Sequence, residues 1–213
     1  MDSVTLGLPS TVLVGRVMPK KAFYEHLATT AAIKEEFVRL IERIEIIAAL
    51  KEASTHIPAG EKIFEIDALG LYLRSTDGGA CEVPYGAIDL IAKSVPNKQL
   101  FACITDDAVK LLVKRDRLYE TAWLPRGEAA VELRGASLDE LWDSLSSQVV
   151  FGNSEPDDFV GRVERKGRIE ALRKELTAVN KKRKKEKQVS RRNALFDRKR
   201  TIEAELSRLE GEL

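Results

Sequence analysis

Apolar residues recur at helical spacing near the N-terminus and predict helix over residues 18–44. Pro19 suits the first turn of a helix. The pair Thr29–Thr30 is a candidate break between two helices, with Thr30 as the N-cap of the second. The segment "IEIIAAL" (residues 44–50) is rich in β-branched residues and predicts either a strand or a continuation of the helix. The apolar positions of the predicted helix are Phe23, Leu27, Ile33, Phe37, Leu40, Ile41 and Ile44.

The next hundred or so residues change to mostly strand-like patterns. Residues 62–75 alternate with period two and predict a strand with one core face. Residues 85–95 predict a helix that ends before Pro96, and residues 99–116 predict a β-hairpin turning at Asp106–Asp107. Short strands are predicted over residues 119–125 and 129–135. A further helix over residues 137–150 opens with Ser137 and Glu140, the spacing of a capping box.

Strands that follow one another through short turns favour an antiparallel or mixed sheet, so the predicted fold class is α+β with flanking helices. Residues 151–159, "FGNSEPDDF", form a polar segment that contains glycine and proline. Such composition is typical of a linker. The predicted organisation is therefore a globular domain over residues 1–155 and a basic helical tail over residues 156–213.

The tail has two apolar seams that do not share one register. The apolar residues of the first seam are spaced by three and four residues, and this spacing fails after Val179. A second seam starts at Leu195 and has Lys199 at one of its positions. Either the chain folds back near residues 187–191 into a helical hairpin, or one long helix contains a discontinuity. In a hairpin the basic residues would crowd the tip. The seams are Ile169, Leu172, Leu176 and Val179, and then Leu195, Ile202, Leu206, Leu209 and Leu213.

Composition supports a packed core, since 44% of the residues are hydrophobic. The formal net charge of +1 hides a division along the chain. Residues 1–161 hold 17 basic and 25 acidic residues, whereas residues 162–200 hold 17 basic and five acidic ones. The sequence thus predicts an acidic body followed by a basic tail segment.

Few features of the sequence suggest a cofactor, a metal site or a membrane segment. Cys81 and Cys103 form no CxxC pair, and His26 and His56 have no ligand-like spacing, so we expect structural thiols and no cofactor. Residues 4–17 are apolar but interrupted, and no uninterrupted apolar run reaches about 18 residues. We therefore expect a cytoplasmic protein that does not span a membrane.

The stretch "NKKRKKEKQVSRRNALFDRKR" (residues 180–200) is the strongest functional signal in the chain. Three interpretations are open: contact with phosphate backbones, contact with an acidic protein surface, or plain solvation of a helix. One aromatic residue, Phe196, stands among the cations, so any nucleic-acid contact would be indifferent to sequence. The candidate binding residues are Lys181, Lys182, Arg183, Lys184, Lys185, Lys187, Arg191, Arg192, Arg198, Lys199 and Arg200.

Catalytic motifs are largely missing from the sequence. The chain has no glycine-rich phosphate loop. Glu65 and Asp67 lie two apart on a predicted strand and are candidate metal ligands of a nuclease, but no Glu-x-Lys motif follows on a later strand. We therefore predict a non-enzymatic protein, with a metal-dependent nuclease subunit as the alternative.

Several segments resemble an uncharacterised bacterial family, domain-of-unknown-function family 4391. They are "MPKKAFYEHL" (18–27), "IERIEII" (41–47), "YETAWLP" (119–125), "SLDELWDSL" (137–145), "KKEKQVSRRNAL" (184–195) and "EAELSRLEGEL" (203–213). The resemblance adds Lys20 to the candidate contacts. The matching positions are Pro19, Lys20, Phe23 and Tyr24, then Trp123, Leu124 and Pro125, and finally Lys187, Gln188, Arg191, Arg192 and Asn193.

The resemblance implies an accessory protein of a restriction or phage-defence system, encoded beside helicases and DNA methyltransferases. We accordingly expect a non-enzymatic adaptor that docks such an enzyme and contacts nucleic acid through its tail. A tail that self-associates as a coiled coil is a further alternative, and it is compatible with the adaptor role. Phe23, Trp123 and Leu124 are predicted to be core residues, and Pro125 to end a strand.

Overall fold

The computed structural model of the chain describes residues 3–26, 29–75 and 81–212. It divides into two compact units, Met1–Asp157 and Asp158–Leu213. The second unit consists of α6 (Phe159–Lys185) and α7 (Val189–Glu210). The first contains β1 (Leu13–Met18), α1 (Lys21–His26), α2 (Ala31–Arg39), β2 (Ile41–Lys51), α3 (Glu52–Thr55), β3 (Glu65–Leu73), α4 (Tyr85–Ser94), β4 (Lys98–Ile104), β5 (Ala108–Lys114), β6 (Leu118–Glu120), β7 (Leu124–Pro125) and α5 (Leu138–Phe151).

The strands of the described residues form one mixed sheet in the order β1-β2-β3-β4-β5-β6, with β7 beside β5. Neighbouring strands are antiparallel except β3 and β4, which run parallel. A parallel pair needs a crossover connection, and α4 lies in that connection. The predicted mixed α+β class, the helix before Pro96 and the hairpin around Asp106–Asp107 are confirmed.

Both faces of the central strands are buried, which corrects the prediction of a single core face. On β3, Ile66, Ala68 and Tyr72 pack with α5, whereas Leu69 and Leu71 pack on the opposite face with α2 and α4. Strand β4 divides in the same way between its even- and odd-numbered residues. Near-continuous apolar runs are typical of such doubly covered strands.

Gly70 makes room for this packing at the centre of the sheet. A Cβ added there would lie 3.1 Å from the Cδ1 atoms of both Ile47 and Ile104. That spacing is tighter than ordinary van der Waals contact, so a side chain at this position would overpack the core.

The N-terminal apolar segment is part of this core. Leu6, Leu8 and Val12 are buried, the Val4 amide donates to the Tyr72 hydroxyl at 3.3 Å, and the Val131 amide donates to the Leu6 carbonyl at 3.0 Å. The chain then enters β1 at the edge of the sheet. Glycine and proline interrupt the apolar pattern of this segment, unlike that of a membrane span. In the structure these interruptions form turns within the fold.

The predicted helix over residues 18–44 is wrong at its C-terminal end. The hydroxyl of Thr30 accepts from the Ile33 amide, so the predicted N-cap of α2 is confirmed, but the helix ends at Arg39. Strand β2 starts at Ile41, which pairs with Leu73 of β3. Pairing with β3 therefore overrides the helical spacing of Ile41 and Ile44.

The strand predicted over residues 129–135 is also wrong. The amide of Glu132 donates to Gln148 Oε1 at 2.8 Å, and Gln148 Nε2 donates to the Glu132 carbonyl at 2.9 Å. A side chain from α5 thus provides the partners that a neighbouring strand would otherwise provide. The strand predicted over residues 119–125 is two short strands, β6 and β7.

Helix α5 is capped at its N-terminus and tied to a distant turn. Ser137 Oγ accepts from the Glu140 amide, as the capping box predicts, while the Glu140 carboxylate accepts from the Ala136 amide rather than from that of Ser137. The Asp139 carboxylate accepts from three backbone amides, of residues 61, 62 and 63, at 2.9, 3.3 and 2.9 Å. A Cβ at Gly60 would lie 2.4 Å from Asp139 Cγ, so this turn closes on the carboxylate.

The tail is a helical hairpin, which decides between the two geometries that the sequence left open. Residues 186–188 join α6 to α7, and the helices pack along an apolar seam. No helix among the described residues has the length and apolarity needed to cross a bilayer. The buried residues of the seam are Ile169, Leu172, Val179, Ile202, Leu206 and Leu209.

Asp139→Ala should lower the free energy of unfolding by about 2–3 kcal/mol, because three backbone N–H groups lose a charged acceptor. Urea unfolding of the full chain measures this change. Asp106→Ala is the matched control, since Asp106 is exposed on the β4–β5 turn, and it should change stability by less than about 0.5 kcal/mol. Equal effects of the two substitutions would contradict a role for Asp139 in holding the turn.

Candidate nucleic-acid interface

The candidate interface is the hairpin tip, residues 181–200, where α6 and α7 join. It contains eleven basic residues and two acidic ones, Glu186 and Asp197. Most of its side chains are exposed. The structure thus brings together, at one end of the hairpin, every tail cation that the sequence predicted as a contact.

Most tip cations have no carboxylate partner within the described part of the chain. Arg198 pairs with Glu175 at 2.6 Å and Lys199 pairs with Glu203 at 3.3 Å. Arg183 contacts an aromatic ring, and the other eight have no ion pair with any described residue, so their charge remains available to an external anion. These eight are Lys181, Lys182, Lys184, Lys185, Lys187, Arg191, Arg192 and Arg200.

Arg183 occupies the position where the apolar seam fails. Its guanidinium carbon lies 5.8 Å from the centroid of the Phe196 ring, which is a cation–π contact. The aromatic ring of the tip is therefore already engaged by a cation of its own chain. This arrangement favours contact with phosphates over stacking with bases.

The two helices at the tip place their charges differently relative to the helix dipole. Residues 182–185 are basic and fill the last turn of α6, where the dipole stabilises cations. The first turn of α7 contains no acidic residue, and Arg191 and Arg192 lie at its positive end. Cations there destabilise the helix, so their placement is not explained by the stability of the hairpin.

Lys20 belongs to the first unit, whereas the other candidate residues belong to the second. Its ammonium donates to the carbonyl of Phe37 at 3.2 Å and to that of Ile41 at 2.5 Å, at the end of α2. Burial, with a smaller contribution from the charge of Arg74, lowers the pKa of Lys20. These bonds satisfy a carbonyl in the last turn of α2 and the carbonyl of Ile41, the first residue of β2, which is a structural role.

The nuclease candidates Glu65 and Asp67 share a face of β3, as the alternation predicted. Burial raises the pKa of Asp67, although Asn97 Nδ2 donates to its carboxylate at 3.1 Å and opposes the shift. Across the described ranges, no three His, Cys, Asp or Glu side chains are grouped so that they could hold a metal ion.

A second polar cluster, which sequence reasoning missed, lies on the sheet. Lys110 Nζ donates to Glu120 Oε1 at 2.8 Å, and the hydroxyl of Tyr85 donates to Glu120 Oε2 at 2.7 Å. The ammonium of Lys110 also lies 5.4 Å from the ring centroid of Trp123. The sequence signal that could have revealed this cluster is a lysine inside the apolar run of β5.

Cys103 lies on β4, opposite Lys110 of β5. Burial raises the pKa of its thiol to about 12, so this thiol is unreactive.

A family model matches residues 6–206, nearly the whole chain. The family is described as Domain of unknown function (DUF4391). The chain belongs to this family. A search of curated proteins finds no match, and a search of solved structures finds none either.

The segments that resembled DUF4391 at the level of sequence have separate roles in the structure. Phe23 is buried and stacks on Phe37 with ring centroids 6.1 Å apart, which confirms it as a core residue. Trp123 is 37% exposed, so its prediction as a core residue is wrong; its ring lies over Lys110 instead. Pro125 ends β7 as expected.

Glu120→Gln should lower the pKa of Tyr85 from about 12 towards 10, because the hydrogen bond to the Glu120 carboxylate is the main cause of the raised value. Since the folded pKa lies above the unfolded one, the bond stabilises the fold fully below about pH 10. That stabilisation is lost as the pH rises through 12. Ultraviolet titration of phenolate measures the shift, and Tyr85→Phe assigns the signal.

Arg192→Glu should stabilise α7 by about 0.5 kcal/mol, because it places a negative charge at the positive end of the helix dipole and reduces repulsion at the tip. Hydrogen exchange of the α7 amides in the full chain would show slower opening. Arg200→Glu makes the same charge change at a tip residue well beyond the first turn of α7, so it is the control and should give little dipole effect. Faster exchange in the Arg192 variant would contradict the argument.

Proposed function

We propose that this DUF4391 protein is a non-enzymatic accessory protein that contacts nucleic acid through the hairpin tip without reading its sequence. The observation that supports this proposal most directly is the group of eight tip cations that have no carboxylate partner within the described residues. Lysine and arginine contacts to phosphates release condensed counterions, and this release supplies most of the affinity in non-specific binding.

The geometry of the tip favours backbone contact. The cations project from two helices that pack along an apolar seam, so the backbone positions from which they extend are set before any partner arrives. Phe196 is the one aromatic residue of residues 181–200, and its ring contacts Arg183, so the tip offers many phosphate-binding groups and a single ring for stacking. Phosphate contacts position a protein on a strand but do not select a sequence.

The second element of the proposal is docking to a larger DNA-acting enzyme, a helicase or a methyltransferase, within a restriction or anti-phage system. Members of the family resemble accessory proteins that are encoded beside such enzymes, and this context supports docking to one of them. A weak, sequence-independent contact with nucleic acid suits a subunit that assists an enzyme, because the enzyme itself supplies recognition and chemistry.

Replacing Lys181, Lys184, Lys185 and Lys187 with Gln should weaken binding of the full chain to a labelled DNA duplex by at least about 100-fold in low salt. The slope of log K against log salt should fall by about 0.9 for each phosphate that the variant no longer neutralises. Fluorescence anisotropy over a salt series measures both quantities.

The matched control replaces four exposed lysines of the first unit, Lys21, Lys51, Lys62 and Lys98, with Gln. This variant has the same change in net charge and should bind nearly as the original chain does. Equal reductions in affinity in the two variants would show that overall charge, rather than the tip, governs binding. A full chain that binds no duplex in low salt would overturn the proposed function.

A further inference from the structure

One side of the hairpin tip contains a hollow of about 570 Å³ between α6 and α7. Lys182 and Lys185 border it from α6, and Arg191 borders it from the first turn of α7. Its apolar lining is Ala194 and Leu195, and Glu186 completes the lining. We refer to this feature as the tip hollow.

The charges of the tip hollow favour an anion. Three cations and one carboxylate line it, and none of the three cations has an ion-pair partner within the described residues. Oxygen Oε1 of Glu186 accepts from the Gln188 amide at 2.8 Å, so this carboxylate is held by the turn that joins the helices. Because lysine and arginine make charge-assisted bonds to phosphate oxygens, the three cations suit a phosphate group.

The apolar part of the lining distinguishes the tip hollow from the other tip cations. Ala194 is exposed and Leu195 is only partly buried, so apolar surface lies beside the three cations. A nucleotide backbone alternates phosphates with sugars whose carbon atoms are apolar. A phosphate bound by the cations would therefore place an adjoining sugar against Ala194 and Leu195, which removes apolar surface from water.

We propose that the tip hollow is the principal phosphate site of the interface, and that it holds one backbone phosphate together with its adjoining sugar. Lys182, Lys185 and Arg191 bind the phosphate, and Ala194 and Leu195 pack against the sugar. The remaining tip cations act at longer range by raising the local concentration of the strand. This inference rests on the proposed function and assigns its main contacts to particular residues.

The first test compares two triple substitutions in the full chain that remove equal charge from the same tip. Lys182, Lys185 and Arg191 are replaced with Gln in one variant, and Lys184, Lys187 and Arg192 in the other. Binding to a labelled DNA duplex is followed by fluorescence anisotropy over a salt series. The tip-hollow triple should weaken binding at least about tenfold more, and its salt slope should fall by about 0.9 more than that of the control, which corresponds to the one phosphate lost.

The second test fills the hollow without removing a cation. Ala194→Glu places a carboxylate on the lining, whereas Asn193→Glu places the same charge on the neighbouring exposed position of the helix. Glutamate is a good helix former, and hydrogen exchange of the α7 amides verifies that both hairpins are intact. We expect Ala194→Glu to weaken duplex binding at least about tenfold more than Asn193→Glu.

The outcomes separate this inference from the proposed function. Equal reductions in affinity within both pairs of variants, with tight binding by the original chain, would overturn the tip hollow as principal site and leave the tip as the interface. Duplex binding by the original chain that neither triple weakens would overturn the proposed function and this inference together. Greater reductions in the tip-hollow variants of both pairs would support the assignment.

Discussion

Burial of the parallel pair β3–β4 on both faces is the constraint on which the first unit depends. A parallel pair requires a crossover, and α4 provides it while covering one face together with α2. The opposite face is covered by α5 and the N-terminal segment, and Gly70 leaves the space in which Ile47 and Ile104 meet.

The hairpin tolerates its charged tip because its seam contributes more than the charges cost. Each fully buried aliphatic side chain of the seam stabilises the pair by about 1.5–3 kcal/mol, whereas a misplaced charge at a helix end costs about 0.3–1 kcal/mol. Ile169, Leu172 and Ile202 lie well inside the seam and are almost fully buried. The balance allows the first turn of α7 to keep arginines where the dipole disfavours them.

Local patterns predicted the elements whose partners are near in sequence, and failed where distant contacts decide. The cap of α2, the turn at Asp106–Asp107 and the seams of the tail follow from spacing alone. The start of β2 does not, because pairing of Ile41 with Leu73 overrides a helical pattern. Residues 129–135 look like a strand, yet their backbone bonds to Gln148. The tip cations were identifiable from composition. The tip hollow was not, because it depends on which faces of α6 and α7 meet. Neither glycine nor proline marks the turn between these helices, so the sequence did not show where the chain reverses.

The charge of the chain is divided unevenly along the sequence. Residues 1–161 have eight more acidic than basic residues, so phosphate backbones are repelled by this part of the chain on average. The tip has the opposite sign, with eleven basic and two acidic residues. In the proposed function, this repulsion and the attraction by the tip together direct a nucleic-acid strand to the tip cations. The proposed adaptor role would then use the acidic surface of the first unit to bind a protein partner.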